Sequence, residues 1–465
     1  MLMKRLISFF LSGVLLFSSG ILGVSAEETE DLAVTSGCHS IDGTMSLLGS
    51  NRLVENVSSA FLYETDSETI LYQWDCDRKV NPASLVKIMT GLLVLEKGTL
   101  TDTVTVSQSA LESITYDAIS VDLQPGEIMS VDDLMNCMLV YSANDAATVL
   151  AEYISGSQSD FVILMNERAA ELGCTSTAFT NAHGLHDVNQ YTTARDLCKI
   201  LSAALEYDAF RTYFGTINHT VPATNLHKER NLTSNNFFMN KESVAIYYDN
   251  RVTGGRTGVT SEGLRNIASL SESGNMEVIC IVTESASTLS DNGRTEKYGG
   301  FDETISLLDA AYNGYSRRQI IFPNQTLRQD SVLNGDNDLF VTSYEGFSTV
   351  LPSDISLDQL TFSYEELPGG TQAPIEKGQN VASLQVWYGS ICIAQTNVYA
   401  MNDVSVAVKK NIPLEHKKGE VSWLTVVLVV VLIIGIGFVA FLFIARLRSK
   451  KLVASQMRNH RRRRK

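Results

Sequence analysis

Ser84 and Lys87 stand three residues apart in Pro82-Ala83-Ser84-Leu85-Val86-Lys87-Ile88-Met89-Thr90, just ahead of the apolar run Gly91-Leu92-Leu93-Val94-Leu95. A serine hydroxyl is a poor nucleophile near neutral pH and needs a base held against it. A spacing of i, i+3 on a helix puts the two side chains on one face. Pro82 marks a helix start, where free backbone N–H groups and the positive dipole end suit an oxyanion. The chemistry on offer is acyl transfer. Taken alone, Ser-x-x-Lys describes an ordinary helix start with a solvated lysine equally well. Two later stretches add partners: Tyr141-Ser142-Ala143-Asn144-Asp145-Ala146-Ala147 and Thr253-Gly254-Gly255-Arg256-Thr257-Gly258-Val259-Thr260.

Several elements must bring these stretches together. Residues 59–64 and 69–74 alternate as a β-hairpin around the polar turn 65–68, and the hairpin feeds the Ser84 helix. Residues 131–140 and 161–172 repeat apolar positions at three and four, as helices do. Residues 277–282 and the Arg256 region read as strands, and 306–312 as a closing helix. This order predicts an α/β (α+β) domain over residues 58–316, with helices packed on an antiparallel sheet. From residue 317 short strand-like runs at 319–322, 339–342, 360–364, 381–386 and 391–394 predict a small all-β domain to residue 408.

With 465 residues, 44% of them hydrophobic, the chain can bury a full core in more than one globular unit. Its formal charge of −15 is unevenly spread: Lys4 and Arg5 precede the first apolar run, ten more basic residues follow Ala445, and the body between is strongly acidic. An acidic body speaks against nucleic acid as a partner. Residues 1–26 have the charged start, apolar stretch and small-residue ending of a secretory signal peptide. Residues 27–57 read as a polar, loosely packed leader and 409–422 as a linker. Residues 423–445 carry no charge and, at ~1.5 Å per residue, reach across a ~30 Å hydrocarbon core. The basic tail at 446–465 then predicts a cytoplasmic end, with residues 27–422 outside the membrane. The seven cysteines include no Cys-x-x-Cys pair, and His183 and His186 flank Gly184-Leu185 without an acidic or cysteine cluster. Neither a metal nor a cofactor is expected, nor is a disulfide framework.

The three stretches, in their order, resemble the Ser-x-x-Lys, Ser-x-Asn and Lys-Thr-Gly boxes of the penicillin-recognising serine enzymes. Together with Met165-Asn166, Leu172-Gly173 and Asn181-Ala182-His183-Gly184-Leu185 they are similar to the serine-type D-alanyl-D-alanine carboxypeptidases of peptidase family S11, the low-molecular-mass penicillin-binding proteins. The resemblance implies a serine β-lactamase/DD-peptidase-like fold, peptidoglycan stem peptides ending in D-Ala-D-Ala as substrate, and β-lactams as covalent inhibitors. It implies Ser84 as acyl-ester nucleophile, Lys87 as general base and Ser142 as proton relay. Asn144, Arg256, Thr257 and Gly258 would bind substrate, and the backbone N–H groups of Ser84 and Val259 would form the oxyanion hole. Asp145 and Tyr141 shape their box. Arg256 departs from the family, which mostly has lysine there; arginine keeps the charge and can grip a carboxylate bidentately, but it is bulkier. The stretch from Ala373 to Gln379 is similar to the β-domain that many such enzymes carry, whereas a spanning helix replaces their amphipathic terminal one. Two other readings share these motifs. One is a non-catalytic wall-binding scaffold, with Arg256 marking lost activity; the other is a β-lactamase, for which no glutamate-bearing loop motif is present.

Overall fold

The computed structural model describes residues 41–43, 46–49, 51–242, 244–289, 296–389, 391–408 and 422–462. The expected signal peptide, Cys38 and almost all of the linker lie outside the described residues. The chain divides into a unit ending at Val406 and a second, Ala407–Lys465.

A five-stranded antiparallel sheet organises the first unit. Its strands are β1 (Ser59–Glu64), β2 (Thr69–Trp74), β3 (Val252–Val259), β4 (Arg265–Ser273) and β5 (Met276–Ser285), in the order β2-β1-β5-β4-β3. Both faces are covered, as the period-2 pattern requires. Phe61, Tyr63, Ile279 and Ile281 join one core cluster, while Ala60, Leu62, Val278, Cys280 and Val282 join a second on the opposite face. The first cluster is mainly helical: α1 (Val86–Lys97), α2 (Val131–Asn136), α3 (Asn144–Ser155), α4 (Gln158–Glu171), α5 (Ala194–Leu205) and α6 (Asp208–Gly215). The second is closed by α7 (Gly299–Gly314) through Phe301, Leu307, Leu308 and Ala311.

Helix α1 is central: every residue from Val86 to Val94 is buried. Gly91 lets neighbours close in, since a Cβ there would lie 3.2 Å from Leu139 Cδ1 and Phe210 Cε2. Caps fix the outer helices, with the Ser130, Ser157 and Thr193 hydroxyls accepting from the backbone N–H groups of Asp133, Asp160 and Asp196. The helix expected over 131–140 is α only to Asn136; Cys137–Tyr141 widens into a π turn. The closing helix starts earlier than expected, at Gly299.

The all-β part has β6 (Tyr315–Ile321), β7 (Thr326–Ser331), β8 (Asp338–Thr342), β9 (Phe347–Pro352), β10 (Leu360–Glu366), β11 (Asn380–Tyr388) and β12 (Ile391–Ala400). A β6–β9 pair and a sheet ordered β7-β8-β12-β11-β10 enclose one apolar core. Strands β7 and β9 were not expected from the sequence. In the second unit, helix α8 (Trp423–Arg462) runs for 40 residues, of which Trp423–Arg448 is long and apolar enough to cross a membrane.

One correction concerns the leader, whose described part is firmly held. Leu47 and Leu48 donate main-chain hydrogen bonds to Ile70 and Leu71 of β2, and Val54 and Val57 are buried. Arg195 of α5 donates to the carbonyls of Ile41 and Gly43 at 2.6 and 2.9 Å. The six described cysteines are free and buried.

A buried ion pair braces the loop beside the helical cluster. Arg230 makes two hydrogen bonds to Glu127, at 2.8 and 3.0 Å, and a third to the Val121 carbonyl at 2.8 Å. Removing one member strands the other charge, so Arg230→Met is expected to lower unfolding stability by about 3–5 kcal/mol. Arg78→Ala breaks a solvent-exposed 3.9 Å pair with Asp75 and should cost about 0–1 kcal/mol. Denaturant unfolding of both variants checks this; equal losses would contradict it.

Candidate active site

Ser84 sits in a strained turn at the head of α1. A single 3-10 turn, Ala83–Leu85, precedes the α-helix, so Ser84 stands outside the regular helix and Lys87 just inside it. Ala83 is left-handed at φ +48°, a conformation that costs a non-glycine residue of order 1–3 kcal/mol unless its surroundings impose it. They do. Asn81 Oδ1 accepts from the Ala83 N–H at 2.9 Å, and Asn266 Nδ2 of β4 donates to the Asn81 carbonyl at 2.7 Å. Two glycines press on the turn: a Cβ on Gly184 would fall 2.1 Å from the Ala83 carbonyl oxygen, and one on Gly258 of β3 would fall 2.7 Å from the Ser84 nitrogen. Ser84 is thus wedged between β3 and the 181–186 loop.

Lys87 is fully buried. Its Nζ lies 2.6 Å from Asn144 Oδ1, 2.5 Å from the His183 carbonyl oxygen and 3.4 Å from Ser84 Oγ. Burial holds its pKa well below the usual lysine value, the Arg256 charge lowers it further, and Asp145 opposes them. A neutral amine has two N–H donors and one lone pair. Nζ thus faces three acceptors, the Asn144 amide oxygen, the His183 carbonyl and the Ser84 hydroxyl; loss of one proton would turn a lone pair toward Ser84. Burial lowers the His183 pKa to about 3, with any charge on Lys87 acting in the same direction; its Nδ1 accepts from the Leu185 N–H at 3.1 Å. The His183 carbonyl is set by Asn181, whose Oδ1 accepts from the Gly184 N–H at 2.7 Å.

The second box follows the π turn. Ser142 is left-handed at φ +79°, and its buried Oγ has no hydrogen-bond partner among the described residues. Asn144 opens α3. Asp145 accepts from Ser120 Oγ at 2.5 Å and from the Leu123 N–H at 3.0 Å, so it shapes the site's border, while Tyr141 is exposed. In the third box, Arg256 is 1% exposed. Its Nη2 donates to the Met138 carbonyl at 3.0 Å and its Nη1 to the Leu139 carbonyl. Thr257 Oγ1 donates to Asn235 Oδ1 at 3.1 Å. Val259 ends β3 with its side chain half exposed.

Hydrogen bonds therefore join Ser84, Lys87 and Asn144. Ser142 is delivered two residues before Asn144, and Gly258 touches the Ser84 backbone. Arg256 lies behind the π turn. Among the described residues no group of three or more His, Cys, Asp or Glu side chains gathers as a metal site. His186 Nδ1 instead lies 3.1 Å from Asn81 Nδ2 and 3.2 Å from Ser261 Oγ. Asn81, Asn235 and Asn266 were missed in the sequence; Asn181 and His183 were noted there only as part of the family motif Asn181-Ala182-His183-Gly184-Leu185, without the part that Asn181 Oδ1 and the His183 carbonyl play.

The two close glycine contacts make a prediction. Gly184→Ala and Gly258→Ala should each slow acylation of Ser84 by a fluorescent penicillin about 100-fold or more, because an ångström of misplacement at a nucleophile costs roughly that much. Gly156→Ala meets left-handed backbone at φ +80°, like Gly184 at φ +90°, but with nothing within 4 Å, and should label at the parent rate. Normal labelling of the Gly184 and Gly258 variants would contradict the packing.

Comparisons with known proteins agree with this geometry. Residues 53–287 match the family model for D-alanyl-D-alanine carboxypeptidase, and residues 315–406 match the C-terminal domain of penicillin-binding protein 5. The D-alanyl-D-alanine carboxypeptidase DacF of Bacillus subtilis is 28% identical over 411 residues, 87% of this chain and 96% of its own. DacC of Escherichia coli is 30% identical over 353 residues, 74% of this chain and 83% of its own. The crystal structure of penicillin-binding protein 5 from Haemophilus influenzae superposes with a TM-score of 0.62 at 26% identity, covering 77% of this chain and all of that one. With the serine-lysine pair, the two further boxes and the β-domain all in family order, the chain belongs to the D-alanyl-D-alanine carboxypeptidase family, peptidase family S11.

Proposed function

We propose that this protein removes the terminal D-alanine from peptidoglycan stem peptides ending in D-Ala-D-Ala, through an acyl-ester on Ser84. The observation that carries the reading is the placement of Lys87, fully buried, held by Asn144 and the His183 carbonyl and 3.4 Å from Ser84 Oγ. Ser84 Oγ attacks the carbonyl carbon of the penultimate D-alanine while Lys87 takes the hydroxyl proton. The N–H groups of Ser84 and Val259 hold the resulting oxyanion, each worth about 3 kcal/mol. Collapse breaks the carbon–nitrogen bond, and the proton passes from Lys87 by way of Ser142 to the departing amine. Water then attacks the acyl-serine, with Lys87 again taking a proton, and Ser84 regains its hydroxyl.

Asn144 and the β3 main chain at Gly258 would hold the peptide, and Thr257 would donate to its terminal carboxylate. A β-lactam offers the same carbonyl in a ring and acylates Ser84. Residues 1–26 act as a signal peptide, the apolar part of α8 anchors the protein as a single span, and the basic tail stays in the cytoplasm with the catalytic domain outside.

The test is D-alanine release from an acyl-Lys-D-Ala-D-Ala peptide by the full chain in detergent, beside Ser84→Ala. Release by the parent alone is expected. No release from a parent that still binds a fluorescent penicillin would favour the scaffold, and rapid turnover of the penicillin the β-lactamase. The rate should also depend on pH in a definite sense. Lys87 works only when neutral, so activity is present above its lowered pKa and is lost as pH falls through it; the plateau should be reached well below the pH at which an ordinary lysine titrates. A rate that rises steadily up to the ordinary lysine range would contradict the role given to Lys87.

A further inference from the structure

We infer that Arg256 is a positioning residue that fastens the π turn presenting Ser142, and that it is not the ligand of the substrate carboxylate. The argument begins with unpaired carbonyls. At the end of the π turn Cys137–Tyr141, the Ser142 and Ala143 N–H groups both close onto the Cys137 carbonyl. The next carbonyls along, Met138 and Leu139, would look to Ala143 and Asn144 for i+5 donors. Ala143 is already used, and the Asn144 N–H donates to the Ile119 carbonyl at 2.8 Å. Both oxygens are thus left at the negative end of a buried helix, where an unmet acceptor is costly.

The guanidinium of Arg256 meets both. Nη2 reaches Met138 O at 3.0 Å and Nη1 reaches Leu139 O, two successive carbonyls matched by the two prongs of a planar fork. The side chain is among the largest fully buried ones of the described residues. A substrate carboxylate would have to reach a side chain that is 1% exposed and already fastened to both carbonyls, although its Nε–H has no partner among the described residues. Holding them instead fixes the turn just before Ser142, which has to stay left-handed to set its hydroxyl in the site. A lysine ammonium presents its donors from a single point and cannot span the pair in the same way. On this view arginine at 256 answers a structural demand of this chain.

The inference rests on the proposed acyl transfer at Ser84, and its test compares acylation by benzylpenicillin with acylation by its methyl ester in the parent, Arg256→Met and Arg256→Lys. Loss of the fork should slow both reactions about 100-fold in Arg256→Met. The acid-to-ester rate ratio should stay within about threefold of the parent ratio. Arg256→Lys should recover at least tenfold with both. A ratio that collapses toward one in either variant, or an Arg256→Lys no faster than Arg256→Met, overturns the assignment. Should Arg256→Met not fold, a crystal structure of the penicilloyl parent decides alone: the guanidinium on Met138 and Leu139 supports it, and the guanidinium turned onto the penicilloyl carboxylate refutes it. A parent that is acylated yet releases no D-alanine would sink the carboxypeptidase reading without touching this ratio.

Discussion

An ammonium cannot act as a base, and the structure around Ser84 is arranged so that the Lys87 amine need not carry a proton. Taking a lone cation out of water is costly enough that a buried lysine tends to shed its charge. Lys87 is buried because α1 lies deep in the helical cluster, every residue from Val86 to Val94 being buried. Among the described residues no carboxylate forms an ion pair with it; its partners are a side-chain amide oxygen, a main-chain carbonyl and, at 3.4 Å, the Ser84 hydroxyl. The acid-base chemistry proposed for Ser84 would thus follow from where the fold puts a helix.

The same packing sustains strain on either side of the lysine. Ala83 and Ser142 both adopt left-handed backbone, and each is held by neighbours from distant parts of the chain. Asn81, Gly184 and Gly258 confine the first; the Arg256 fork, and Asn144 bound to both Ile119 and Lys87, confine the second. Segments near residues 84, 142, 183 and 256 must all dock before either turn is stable, so the site is a product of the finished fold and not of any one element. The buried Glu127–Arg230 pair and Asp145 extend this bracing to the loop over residues 119–127.

Much of this was legible in the sequence, for reasons that also explain what was not. The Ser84–Lys87 spacing, the hairpin at 59–74 and the central strands are patterns of side chains repeating at fixed intervals, and such patterns survive in one dimension. Strand β7, Thr326–Ser331, alternates too weakly to stand out because five of its six residues are polar. The π turn left no mark, since an extra residue in a helical run changes hydrogen bonding without changing composition. The His183 carbonyl belongs to the main chain and has no residue signature. Asn81 and Asn266 act only once β4 lies beside the Ser84 turn, and asparagine in a loop usually needs no such explanation. The leader looked loose because it is polar, yet Arg195 and β2 hold its described part through main-chain contacts that composition cannot reveal.

The most direct test of the account is the titration of Lys87 itself. Lysine labelled with carbon-13 at the ε position, with the Lys87 signal assigned by its loss in Lys87→Arg, reports the protonation state in the resting enzyme. The account predicts that this one resonance changes well below the pH at which the exposed lysines of the same sample titrate, and that it reports a neutral amine near neutral pH. A Lys87 signal that titrates together with the exposed lysines, or above them, would contradict it.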